Sequence, residues 1–186
     1  MKLMIASDIH GASNTCQQLL DAFHAEKADR LVLLGDLLYH GPRNDLPGSY
    51  GPKDVITQLN EMRDVLICVR GNCDAEVDQM VLDFPIMADY ALLQWGELTL
   101  YATHGHLWNE DMPPRMAPGT VLLNGHFHVP ACREHSRYLY VNPGSTSIPK
   151  GGSAGSYLVL EEGTFAWKDM DGSPYMTYTV DPAKFS

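Results

Sequence analysis

The chain has 186 residues, of which 45% are hydrophobic and 19% charged, a balance that supports a packed core and excludes disorder or a coiled coil. Its net charge of −10 opposes an extended nucleic-acid partner, and no Lys/Arg stripe tracks a phosphate backbone. A small phosphorylated ligand stays open, because bound metal can reverse the field inside one cleft.

The length fits one domain over residues 1–186. MKLMIASDIHG at the amino terminus turns polar too soon for a signal segment or a membrane span, so the expected location is cytoplasmic. KLMIAS at 2–7 predicts a buried strand, after which Cys16, Leu19, Leu20 and Phe23 recur as one helical face. RLVLLG at 30–35 predicts a second strand. HGPRNDLPGSYGP at 40–52 is a long punctuated loop, and loops of that kind often wall a site. Pro52 suits a first helical position, and Val55, Ile56, Leu59 and Met62 line one face until VLICV at 65–69 starts a third strand. Two strand–helix–strand units imply parallel strands.

From about Ile86 the texture changes to successive strands, at 97–103, 120–124, 138–142, 156–162, 164–170 and 175–180. The expected class is α/β (α+β): two sheets packed face to face with helices outside. Cys16, Cys68, Cys73 and Cys132 form no CxxC pair and read as reduced thiols. Met, Tyr and Trp residues near the carboxyl terminus leave a homo-oligomer contact open.

Polar residues punctuate the strand ends. Asp8 and His10 follow the first strand, Asp36 the second and Asn72 the third; His104 follows the strand at 97–103, and His126 and His128 follow that at 120–124. Each motif alone is commonly a hydrogen-bonded turn or a satisfied histidine. All of them at strand carboxyl ends, where α/β sheets collect ligands, point to one cleft. Four imidazoles, two carboxylates and an amide oxygen suit borderline transition metals, and they are too many donors for one ion. Two ions sharing a carboxylate would leave positions open for substrate.

DIH (8–10), GD (35–36), GN (71–72), TH (103–104) and GHFH (125–128) together resemble the calcineurin-like metallophosphoesterase superfamily. HGPRN (40–44), RGNCDAEVDQM (70–80) and NPGSTSIPKGG (142–152) are similar to a narrower group, the small bacterial YfcE-type phosphodiesterases. The resemblance implies a four-layer αββα sandwich of two mixed sheets. It also implies that Asp8, His10 and His128 hold one ion, Asn72, His104 and His126 hold the other, and Asp36 bridges. Manganese is the expected metal, with Fe, Zn, Co or Ni accepted by the same donors.

The expected reaction is hydrolysis of a small phosphodiester by in-line attack of a hydroxide held between two ions, with Asn72 helping to neutralise the phosphoryl oxygens. Many relatives place a histidine where this chain has Cys73, a position that supports leaving-group protonation. Arg43 and His40 on the long loop are the candidate substrate contacts, as a phosphate clamp and a proton donor. A thiol-nucleophile phosphatase would need an Arg six positions after Cys73, where Gln79 stands. His24 and His135 read as surface or packing residues, and His106 as a support for a ligand. The competing readings are a phosphomonoesterase with the same site and a scaffold of the same fold with degraded ligands. Every ligand position is filled here, which favours catalysis.

Overall fold

Residues 1–185 are described by a computed structural model. In chain order its first strands are β1 (Lys2–Ala6), β2 (Arg30–Leu33), β3 (Leu66–Cys68), β4 (Ala91–Trp95), β5 (Leu98–Ala102) and β6 (Thr120–Leu123). They are followed by β7 (Ala131–Glu134), β8 (Tyr138–Asn142), β9 (Ser156–Glu161), β10 (Thr164–Asp169) and β11 (Pro174–Thr179). One sheet has the order β11-β10-β9-β1-β2-β3 and the other β4-β5-β6-β8-β7. Both are mixed: β1, β2 and β3 run parallel, as do β5, β6 and β8, while the remaining pairings are antiparallel.

Strand β1 shows why the layers form. Its side chains alternate between faces, so Leu3 and Ile5 enter the cluster between the sheets with Val121, Leu139, Leu158 and Trp167. Met4 and Ala6 enter the cluster beneath the helices. A strand buried on both faces must be apolar throughout, as this one is.

Helix α1 (Ser13–Glu26) buries Cys16, Leu19, Leu20 and Phe23 against that outer face. Helix α2 (Pro52–Glu61) buries Val55 and Leu59 beside them, with Pro52 in its first turn. The outer face of the second sheet carries Tyr101, Leu122 and Tyr140, covered by Trp108 and Met116. These come from the helix-free segment 104–118, so an irregular strap forms the fourth layer.

Strands β4 and β7 are the elements that the periodicity did not announce. Both lie at sheet edges, where one face is in water: Leu92 is 60% exposed while Ala91, Leu93 and Trp95 face the core. In β7 only Ala131 is buried. Among the described residues, no helix is long and apolar enough to cross a membrane.

Candidate metal centre

The seven polar residues from the strand ends converge at one edge of the two sheets. Five of them take left-handed backbone angles: φ is 59° at Asp8, 50° at His10, 56° at Asp36, 65° at His126 and 59° at His128. Among the described non-glycine residues only Lys27 and Glu162 share that conformation. Each such residue stores on the order of 1 kcal/mol of strain, which gathers where function fixes side-chain direction.

The surroundings enforce it. The Asp74 carboxylate accepts the backbone N–H groups of Asp36 (2.8 Å), Leu37 (2.9 Å) and Gly71 (2.7 Å), tying the second and third strand ends together. The Ser145 and Ser147 hydroxyls donate to the Asp8 carbonyl at 2.9 and 3.0 Å. Two close approaches demand glycine: a Cβ on Gly71 would lie 2.1 Å from Asp36 Oδ1, and one on Gly125 would lie 1.8 Å from Ser7 Oγ.

His10, His104 and His128 each direct Nδ1 at a backbone carbonyl, of Tyr39 (2.7 Å), Leu34 (2.7 Å) and Ile148 (2.6 Å). Donation there fixes the tautomer and turns each Nε2 lone pair into the cleft. The resulting meetings put acceptor against acceptor. His10 Nε2 and His128 Nε2 are 3.4 Å apart, and His104 Nε2 is 3.0 Å from Asn72 Oδ1; His126 Nδ1, free to donate or accept, lies 3.2 Å from His104 Nε2.

Asp8 uses Oδ2 to accept the His126 N–H at 3.0 Å. Its buried Oδ1 receives no well-aligned hydrogen bond, although His128 Nε2 is 3.2 Å and His10 Nε2 is 3.5 Å away. Asp36 likewise spends Oδ1 on the Cys73 N–H at 2.7 Å, and Oδ2 faces His10 Nε2 at 3.6 Å and His104 Nε2 at 3.4 Å. Lone pairs facing one another in a buried space are unfavourable unless a cation or a shared proton sits between them. The residues therefore fit divalent metal: Asp8, His10 and His128, and likewise Asp8, Asp36 and His104, bring three donor atoms within 4.8 Å of one another. The hollow lined by His10, Asp36, Asn72, His126 and His128 has a volume of about 40 Å³, room for ions and water and little else.

Without metal, protons take that role. For Asp8, burial is the largest influence and acts upward, but His10 and His128 outweigh it and hold the carboxyl well below its usual range. Asp36 is also lowered, against burial, by His104. Burial pulls His104 down, yet Asp36 and Asp8 raise it to about 9, and His10 is raised by Asp8 in the same way. Burial and the charge on His104 depress His126 to about 4.

The raised His104 stabilises fully below its usual 6.5, and that contribution is lost as pH climbs through about 9. Lowered Asp8 and Asp36 stabilise above the usual carboxylate range, and neutral His126 does so above 6.5; those contributions are lost on acidification. Chelator-treated protein should thus melt several degrees lower at about pH 9.5 than at about pH 7, and divalent metal should remove the difference. Equal melting temperatures in chelator would contradict this assignment of charges.

The flanking residues sort themselves by position. Arg43 borders the hollow together with Gly41, Pro42 and Asn44, so the long loop does wall the site. Lys150 borders it too, a residue the strand-end pattern could not find because its loop is anchored by backbone: Lys150 N–H donates to the His128 carbonyl at 3.0 Å. His40 is not among the residues lining this hollow. Its ring stands edge-on to Tyr39 and Tyr50, with centroids 4.7 and 5.4 Å away. The Cys73 thiol lies 3.2 Å from Asn72 Nδ2, and burial, with Asp36 beside it, pushes its pKa up to about 12 in the metal-free protein. His106 sits against His104 with centroids 5.4 Å apart. His24 is exposed, and His135 stacks on Tyr138 while contacting Glu110 at 2.8 Å.

Two facing mixed sheets with this donor cluster at the strand ends are the architecture of a metal-dependent phosphoesterase. Residues 1–164 match the model of the calcineurin-like phosphoesterase superfamily domain, and the chain belongs to that superfamily. It is 47% identical over 161 residues to the phosphodiesterase YfcE of Escherichia coli strain K12, covering 87% of this chain and 88% of that protein. It is 26% identical over 167 residues to the probable metallophosphoesterase YsnB of Bacillus subtilis strain 168, covering 86% and 83%. The solved structure of the E. coli phosphoesterase YfcE superposes with a TM-score of 0.94 at 42% identity, covering 97% of this chain and 100% of that one.

Proposed function

We propose that the chain is a phosphodiesterase that hydrolyses a small phosphodiester with two divalent ions. Asp8, His10 and His128 hold one, Asn72, His104 and His126 the other, and Asp36 both. The facing lone pairs of His10 and His128, and of His104 and Asn72, carry this reading. Bound there, the ions supply Lewis acidity, which acidifies water and neutralises the charge that builds on the phosphoryl oxygens.

The chain's own residues do the rest. Asp36 Oδ2 sets the spacing of the two donor sets, and the strained backbone keeps them from relaxing apart. Arg43 and Lys150 stand on separate loops at the rim and receive the substrate's non-bridging oxygens. In the metal-free protein burial, with Asp36 beside it, pushes the Cys73 thiol up to about 12, which disfavours a thiolate nucleophile. We assign manganese, because two carboxylates and an amide oxygen make the donor set harder than imidazole alone. Free thiols at all four cysteines favour the cytoplasm. The acidic surface favours a small phosphoester over extended nucleic acid. The chain works as one domain, the two sheets closing over a common core.

Rates on bis(4-nitrophenyl) phosphate and on 4-nitrophenyl phosphate test the reading: the diester should turn over faster and both activities should vanish in chelator. Faster monoester turnover would replace it with a phosphomonoesterase. Arg43→Ala should raise KM for the diester by roughly tenfold with kcat within about threefold, and Lys150→Ala should raise KM by roughly threefold. Unchanged KM in both would place these cations in solvent.

A further inference from the structure

The donor-lined hollow, at about 40 Å³, cannot hold the organic part of a phosphodiester, so that part must rest on an adjoining surface. Cys73 lines this hollow and also a larger groove of about 390 Å³. The groove's apolar walls are Tyr39, Tyr50, Ile56, Val77 and Val81. Exposure reaches 42% at Tyr39, 37% at Tyr50, 66% at Val77 and 44% at Val81, a concentration of wetted apolar side chains that marks a binding surface.

The groove is built into the centre. The Tyr39 carbonyl accepts the His10 Nδ1–H at 2.7 Å, so the same residue orients a ligand donor and presents its ring to the groove. His40 fixes both tyrosines by edge-to-face contact at 4.7 and 5.4 Å, which accounts for a histidine that lies off the donor cluster. Formal charge is sparse. Lys53 and Asp78 are the charged residues of the lining, and Asp78 Oδ2 is engaged by the Ala75 N–H at 2.8 Å. A second phosphate would find little there, whereas a flat apolar group would meet preset aromatic and aliphatic walls.

We propose that this groove seats an uncharged planar group esterified to the phosphate, which makes aromatic phosphodiesters the substrate class. The proposal rests on the phosphodiesterase reading above and adds the chemistry of the ester group. Apolar burial in the groove holds the phosphorus over the donor cluster without using either rim cation.

Calorimetric titration of metal-loaded, full-length protein with 1-naphthylphosphonate and with methylphosphonate tests it without turnover. The naphthyl compound should bind about tenfold more tightly or better, from its buried apolar area. In Val77→Ser/Val81→Ser that advantage should shrink several-fold while methylphosphonate binding holds. Val77→Trp, which fills the groove, should weaken the naphthyl compound alone. Equal affinities in the unaltered protein, or an advantage that survives both variants, would overturn the proposal. Loss of self-association in the double variant with the naphthyl advantage intact would assign the face to a second copy of the chain and overturn it equally. Failure of both phosphonates to bind protein of verified metal content would instead sink the phosphodiesterase reading on which the proposal stands.

Discussion

Asp36→Asn should lower diester hydrolysis by about 10³-fold or more and strip at least one ion per chain, while the protein stays folded. The substitution keeps the shape and the acceptor for the Cys73 N–H, which Asp36 Oδ1 meets at 2.7 Å. It changes the other atom. Oδ2 faces His10 Nε2 at 3.6 Å and His104 Nε2 at 3.4 Å, and an amide nitrogen there would donate to lone pairs that otherwise await a cation. The variant would thereby satisfy the imidazoles without metal, so its fold should survive where its metal binding does not. Elemental analysis and the diester rate on the same preparation read both effects. A near-normal metal content with a near-normal rate would remove Asp36 from the shared position.

Asp74→Ala should cost about 3 kcal/mol or more of stability in chelator, because three backbone N–H groups lose their acceptor. Asp74 is only 3% exposed, so water cannot easily replace the carboxylate that meets Asp36, Leu37 and Gly71. Asp36 takes its position from this staple, and metal affinity should fall along with stability even though both Asp74 carboxylate oxygens are engaged by backbone N–H groups. Urea unfolding in chelator followed by metal titration separates the two losses. A change below about 1 kcal/mol would mean that solvent reaches these N–H groups.

The contrast between those two residues shows what could be read in advance. Asp36 stands directly after an apolar strand, and the convergence of the seven polar strand-end residues was legible because buried strands are continuous apolar runs whose ends are sharply marked. Helix α1 was equally legible: the side chains that it buries, Cys16, Leu19, Leu20 and Phe23, are those set by the 3.6-residue repeat. Asp74 acts through backbone groups 37 and 38 positions away, and no local pattern records that partnership. Ser145 and Ser147 anchor Asp8 from across the chain for the same reason. Lys150 reaches the rim because the backbone of its loop is tied to His128. His40 shares its loop with Arg43, yet the loop's path places Arg43 at the hollow and His40 between two tyrosine rings. Composition could name that loop as a wall but could not give the direction of each side chain.

Anomalous diffraction from crystals of the metal-supplemented protein tests the central claim most directly. Two peaks are expected at the strand ends, one among Asp8, His10 and His128 and one among Asn72, His104 and His126, with Asp36 in contact with both. A folded protein that shows no peak among these side chains at saturating manganese, iron, zinc, cobalt or nickel would contradict that claim.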